Sequence, residues 1–485
     1  MSATNEPRPP MPPPASAPAR APKTPSLAVA LLPLIAMGLL LGVGYGVYKI
    51  RPQVLLVAAA FLTGILGFIL RFSWADMQKG IVDSIHKAMP AILIMLCVGV
   101  LIGAWMASGT IPMVIYYGLK LISPKFFLVT ACFVCSITAL ATGTSWGTIG
   151  TVGVAFIGIA MGLGMPLGLA AGAIVCGAYF GDKMSPFSDI PNLAAVTAGA
   201  NLFDHIKHMM WSAVPGWLLS LIVYFFVGLK YQAATVQSET MTLILETLKK
   251  NFKFNVWLLL PMLLVFYLAF TKRPTIPGML MSSVLAAALA MIFQKTPLTI
   301  IAQAVNTGYP AATGVEAVDK LLARGGMMSM METQLVAFTA FSFGGIMQQT
   351  GMLKVILDRV MKAADKVWNL VFVTIGSCVM TALVTGSSYL AVIIPGDLLG
   401  PIYKKKNLAA KNLSRIIDEC GGIIVPLIPW SMAGVYVQGA LGVDVLKYVP
   451  WAIGNWAAII ILGLYGATKF TMAPKVREDE TQAGS

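Results

Sequence analysis

The chain has 485 residues, of which 57% are hydrophobic and only 11% charged, and its mean hydropathy is +0.79. Soluble domains carry roughly 25% charge, so a water-soluble globular fold is excluded, and a barrel is excluded because its strands alternate instead of running apolar for about 20 residues. The formal net charge of +14 is not a nucleic-acid signal: the basic residues are scattered over loops, as expected of cytoplasmic loops facing anionic lipid.

In chain order, residues 1–26 are rich in Pro and Ala and read as a disordered tail. The apolar run that follows is too long for a signal-peptide core. Spans are expected near 27–49, 53–71 and 90–108, with an interfacial helix over 74–89 whose Asp76, Lys79, Asp83 and Lys87 share one helical face. The stretch 126–164 is interrupted by Thr142-Gly143-Thr144-Ser145-Trp146. Its arms are short for spans, which suits a re-entrant hairpin with an enclosed polar tip. Small residues also let two ordinary spans approach closely, which is the plainer alternative.

The segment 166–187 begins as an apolar helix and then meets Gly181, Asp182, Lys183, Pro186 and Asp189. A charge at membrane depth costs roughly 3 kcal/mol or more and is kept mainly for function. A broken helix with oxygen ligands at the break is the signature of an ion site. An interfacial helix over 193–210 and a span at 211–229 follow, and 231–253 reads as a polar linker. Spans recur near 254–272, 275–293 and 334–350, and residues 472–485 form a polar tail.

The second half repeats the first. Thr142-Gly143-Thr144-Ser145-Trp146 is echoed 243 residues later by Thr385-Gly386-Ser387-Ser388-Tyr389, and Pro186-Phe187-Ser188 at the same offset by Pro429-Trp430-Ser431. Several matches in one order at one offset argue for duplication. The expected fold is therefore an all-α polytopic membrane protein, an inverted-repeat ion transporter with about ten spanning helices, two re-entrant hairpins and broken helices. Its first repeat covers 27–230 and its second, inverted repeat 254–471. The Lys and Arg distribution places both termini in the cytoplasm.

No HExxH, GxSxG or P-loop is present, so neither enzyme chemistry nor ATP-driven pumping is expected, and no cofactor. The six cysteines lie in apolar segments and read as small packing residues, the CxxC of Cys132 and Cys135 included; no metal other than a transported ion is expected. A hard cation needs several oxygens. The first half offers Thr144, Ser145, Asp182, Ser185, Ser188, Asp189 and Asn192, and the second Ser387, Ser388, Asp418, Glu419 and Ser431. Each has a plainer account. Lys183 neutralises Asp182 or Asp189, Asp418 and Glu419 pair with Arg415 on one helix face, and His205 and His208 lie on a solvated interfacial helix.

The run GTSWGTIG at 143–150, followed by GAYFGDKMSPFSD at 177–189, Asn192-Leu193 and LFDHIKHM at 202–209, resembles the NhaC family of Na+/H+ antiporters. The likeness covers roughly 30–470 and implies that Thr144, Ser145, Asp182, Ser185, Ser188, Asp189 and Asn192 line the ion path. The chain departs from the family pattern at Ile190-Pro191, where hydroxyl residues are frequent. The expected function is Na+/H+ exchange across an inner cell membrane. The alternative is an ion-coupled exchanger of a small organic acid, of the malate or lactate type, or of an amino acid. The expected partners are Na+, H+ and the lipid bilayer, with a homodimer as the candidate assembly.

Overall fold

The computed structural model describes residues 22–474 apart from 236–238, 272, 363 and 365. Most of the Pro/Ala-rich tail and of the polar C-terminal tail lies outside the described residues. Within them eight helices are long and apolar enough to cross a membrane, and three bent pairs raise that number to eleven. The protein is an all-helical, multi-pass membrane protein.

The first hairpin is built from Phe127–Thr142 and the continuous helical arm Ser145–Gly162. The first broken helix is Leu167–Met184 followed by Asp189–Ala198. In the second half the hairpin is Val367–Thr385 and Ser388–Lys405, and the broken helix is Ala410–Ile423 with a 3-10 turn Val425–Leu427, then Met432–Leu441. The returning hairpin arms start 243 residues apart, at Ser145 and Ser388, as do the two post-break arms, at Asp189 and Met432. Hairpin and broken helix pack together in each half.

Each hairpin turns at a glycine, Gly143 with φ +69° and Gly386 with φ +62°. Both are pressed against the break of their own half. A Cβ on Gly143 would sit 2.8 Å from the Phe187 carbonyl carbon, and one on Gly386 would sit 3.2 Å from Ser431 Cα. Left-handed backbone and close approach together require glycine here.

Three elements differ from expectation. The charged stretch 74–89 is not a separate interfacial helix but the start of one continuous helix, Trp74–Ser108, about 52 Å long. A capping box of Ser73 and Asp76 starts it, and its buried stripe of Met77, Gly80, Ser84 and Ala88 runs without interruption into Ile92 and Met95. The packing face therefore continues across Pro90 even though the solvent face changes character. Likewise the 193–210 stretch is divided between Asp189–Ala198 and the long helix Leu202–Thr235. The linker region holds a helix, Glu239–Asn251. All six cysteines are buried and unpaired.

Candidate functional site

At the first hairpin tip Thr144 caps the returning arm, its hydroxyl accepting from the Gly147 N–H at 3.1 Å. The next residue turns into the protein, and Ser145 Oγ donates to Asp182 Oδ2 at 2.8 Å. Ser188 faces the same carboxylate. Asp182 Oδ1 is buried and has no hydrogen-bond partner. A carboxylate held by hydroxyls, with one oxygen unserved, is a site for a cation or a proton.

The break itself is satisfied locally. Pro186 and Pro191 deny the backbone a continuous ladder. Asn192 Nδ2 donates to the Pro186 carbonyl at 3.0 Å and to the Ser188 carbonyl at 2.7 Å. Ser185 Oγ accepts from the Phe187 N–H at 3.3 Å. Asp189 opens the second arm and is exposed, with Tyr389 Oη at 3.5 Å from its Oδ2. That contact joins the second hairpin tip to the first break. In return Trp146 of the first tip stacks on Tyr436 of the second broken helix, with ring centroids 4.3 Å apart.

The second break carries no charge. Ser387 caps its hairpin arm by accepting from the Leu390 N–H at 3.4 Å, and Ser388 is half-buried beside it. Ser431 is fully buried and closes the break: it donates among the carbonyls of Val425 and Ile428 and accepts from the Gly434 N–H at 2.9 Å. The Met432 N–H donates to the Gly386 carbonyl at 2.9 Å, tying tip to break.

Asp418 and Glu419 lie earlier than the second break, on Ala410–Ile423, and are fully buried. Lys183 bonds neither Asp182 nor Asp189, contrary to expectation. It reaches across the halves and donates to Asp418 Oδ1 at 3.0 Å and to the Asp418 carbonyl at 2.7 Å. His205 Nε2 holds the other oxygen, Oδ2, at 3.0 Å, and its Nδ1 lies 2.9 Å from Ser414 Oγ. His205 and His208 are thus buried rather than solvated, because the helix that carries them packs against 410–423; His208 bonds Asn412 at 3.2 Å. Nor does Arg415 pair with Asp418 or Glu419. It donates to Thr471 Oγ1 at 2.8 Å, and its Nε and Nη2 have no partner. Ser212 Oγ lies 3.2 Å from Glu419 Oε2, while Oε1 is unpartnered.

Of the residues singled out in the sequence, the structure brings Ser145 and Ser188 to Asp182 and places Asp418 and Glu419 together on one buried helix; it also sets His205 and Ser212 against those two acids, Ser414 against His205 and Tyr389 against Asp189, contacts that the sequence did not indicate. The signal for His205 was its position in a short basic run, which reads as surface until the opposing acidic face of 410–423 is known. A polar cavity of about 440 Å³ lined by Arg51, Glu332, Thr333 and Gln438 reaches Pro429 at the second break.

A family model described as the Na+/H+ antiporter family matches residues 177–470, which include the first break, Asp418, Glu419 and Ser431. The chain belongs to this family. It is 42% identical to an uncharacterized Na+/H+ antiporter of Haemophilus influenzae, over 93% of this chain and 98% of that one. It is 35% identical to the Na+/H+ antiporter NhaC of Alkalihalophilus pseudofirmus, over 87% and 91% of the two chains. It is also 34% identical to a malate-2H+/Na+-lactate antiporter of Bacillus subtilis, over 86% and 89%.

Proposed function

We propose that the protein exchanges Na+ for H+ across a cell membrane, with Asp182 as the group for which the two ions compete. The observation that carries this reading is the half-buried Asp182 side chain, held by Ser145 at 2.8 Å, whose other oxygen, Oδ1, is buried without a hydrogen-bond partner. Na+ takes that oxygen together with hydroxyls from the tip and the break, and a proton takes it in the absence of Na+. One carboxylate that cannot hold both ions gives antiport when access alternates between sides. The halves act as inverted repeats, with both tip–break units meeting near the midplane. Support comes from the shared 243-residue spacing and from the cross-contacts Trp146–Tyr436 and Tyr389–Asp189. Thr144, Ser387 and Ser388 shape the tips, and Asn192 keeps the break open without spending a ligand. Both termini face the cytoplasm, the membrane is the inner one, and the protein works as a homodimer.

The test is purified protein in proteoliposomes with a pH-sensitive dye. Adding Na+ alone should move protons, and the apparent KM for Na+ should rise as pH falls, because protons occupy the same oxygen. Proton movement that requires an added small organic acid or amino acid would instead establish coupled exchange of that solute.

A further inference from the structure

The helix Ala410–Ile423 carries Arg415, Asp418 and Glu419, all three fully buried. Asp418 is complete: Lys183 holds one oxygen and His205 the other. Glu419 and Arg415 are not. They stand four residues apart on one helix, the spacing at which an acid and a base normally meet. Yet Glu419 Oε1 and Arg415 Nε and Nη2 are each buried without a partner. Ser212 shows why. It has one proton and two acceptors, the Met209 carbonyl at 3.3 Å and Glu419 Oε2 at 3.2 Å. A protonated carboxyl resolves the conflict by donating to Ser212, which then donates to Met209. The remaining oxygen is then the carbonyl of a neutral acid, which costs less to leave bare than half of a carboxylate.

We propose that Glu419 is a second proton-carrying site, so that the protein moves two protons for each Na+. This rests on the exchange at Asp182 argued above. The arrangement seen is the proton-loaded one, with Glu419 turned to Ser212. When the proton leaves, the carboxylate turns to the waiting nitrogens of Arg415 and forms the buried pair that is now open. The charged groups facing Glu419 are Lys183, Asp418 and Arg415, and those facing Arg415 include Tyr403 and Tyr465. Lys183 commits two of its three N–H donors to Asp418, whereas two nitrogens of Arg415 have no acceptor at all. The charges balance. The loaded state with Asp182 and Glu419 both protonated is neutral at these two groups. The Na+-loaded state carries one negative charge, on Glu419. Two protons one way and one Na+ the other therefore move one net charge per cycle.

The experiment is to find, in proteoliposomes, the Na+ gradient at which net flux stops while a K+ diffusion potential is imposed with valinomycin. For the wild type this null point should shift with voltage, and the ratio of protons to Na+ should be two. In Glu419→Gln the null point should become voltage-independent and the ratio should fall to one, while Na+-driven proton movement persists. Arg415→Gln should give the same ratio of one, because the ionised carboxylate loses its partner; a merely structural arginine would lower the rate and leave the ratio at two. A voltage-independent null point in the wild type, or a ratio of two in Glu419→Gln, overturns the second site while leaving exchange at Asp182 standing. Should Glu419→Gln fail to insert, Arg415→Gln decides, and a ratio of two in that variant overturns the second site. Absence of any Na+-dependent proton movement in the wild type overturns the exchange reading itself.

Discussion

At the first break, between Met184 and Asp189, the chain places Asp182, Lys183 and Asp189. At the second, the positions 243 residues later are Val425, Pro426 and Met432. The frames around them are alike. Both tips turn at a left-handed glycine seated on the break, and both breaks end in a buried serine, Ser188 and Ser431. The buried acids Asp418 and Glu419 lie one to two turns before the second break, where the first half has Val175 and Cys176. The two halves thus share one frame and divide the charge between them. The first half keeps a carboxylate with an open oxygen. The second supplies the counter-charge that anchors Lys183 and so ties the halves together.

The division is broken most completely at Asp182. Asp182→Asn keeps the shape and removes the exchangeable charge, and its neutral amide is cheaper at depth. Antiport should fall on the order of 100-fold or more, beyond the loss of an outer partner at a metal site. Asp189→Asn, at an exposed residue with one long contact, should stay within a few-fold. Na+-dependent proton flux, with membrane insertion checked alongside, measures both. Equal losses at the two positions would mean that the asymmetry within the first break is not functional.

Lys183→Met leaves Asp418 buried beside His205 alone. It should cost roughly 3–5 kcal/mol of stability, read as a lower unfolding temperature in detergent. The double variant Lys183→Met with Asp418→Leu should recover much of that loss, since two apolar groups replace the buried pair. Failure to recover would show that the pair's role is not simply to neutralise itself.

Ser145→Ala removes one hydroxyl from the Asp182 carboxylate. A hydrogen bond to a charged group is worth about 1.5–3 kcal/mol, so the apparent Na+ affinity should weaken roughly tenfold or more. Ser388→Ala, at the corresponding tip of the uncharged half, should change it little. Smallest of all is the surface pair Arg51–Glu332, 2.8 Å long with side chains 75% and 62% exposed. Removing both charges should shift stability by about 0–1 kcal/mol and leave the flux unchanged, which radiolabelled Na+ uptake would confirm.

The breaks and tips were legible in the sequence because glycine, proline and charge interrupting an apolar run have few physical outcomes. The Asp182–Ser145 contact was legible only as membership of one set of oxygens, since hairpin and broken helix approach each other through tertiary packing. The partner of Lys183 was not legible. Local reasoning offered it the neighbouring acids, whereas the bond made is 235 residues away in sequence. His205 failed for a related reason: a short basic run reads as solvated until the face it packs on is known. The helix Trp74–Ser108 was divided because its solvent-side composition changes at Pro90, while its buried stripe does not.

The burial of every cysteine has a practical consequence. Cys97, Cys132, Cys135, Cys176, Cys378 and Cys420 are each at most 8% exposed. A charged, water-borne thiol reagent meets no native target in this conformation. Single cysteines introduced at exposed positions such as Asp189 or Tyr389 can then be followed by labelling in the otherwise native chain. Their reactivity with and without Na+ reports on which side of the membrane the first break is open.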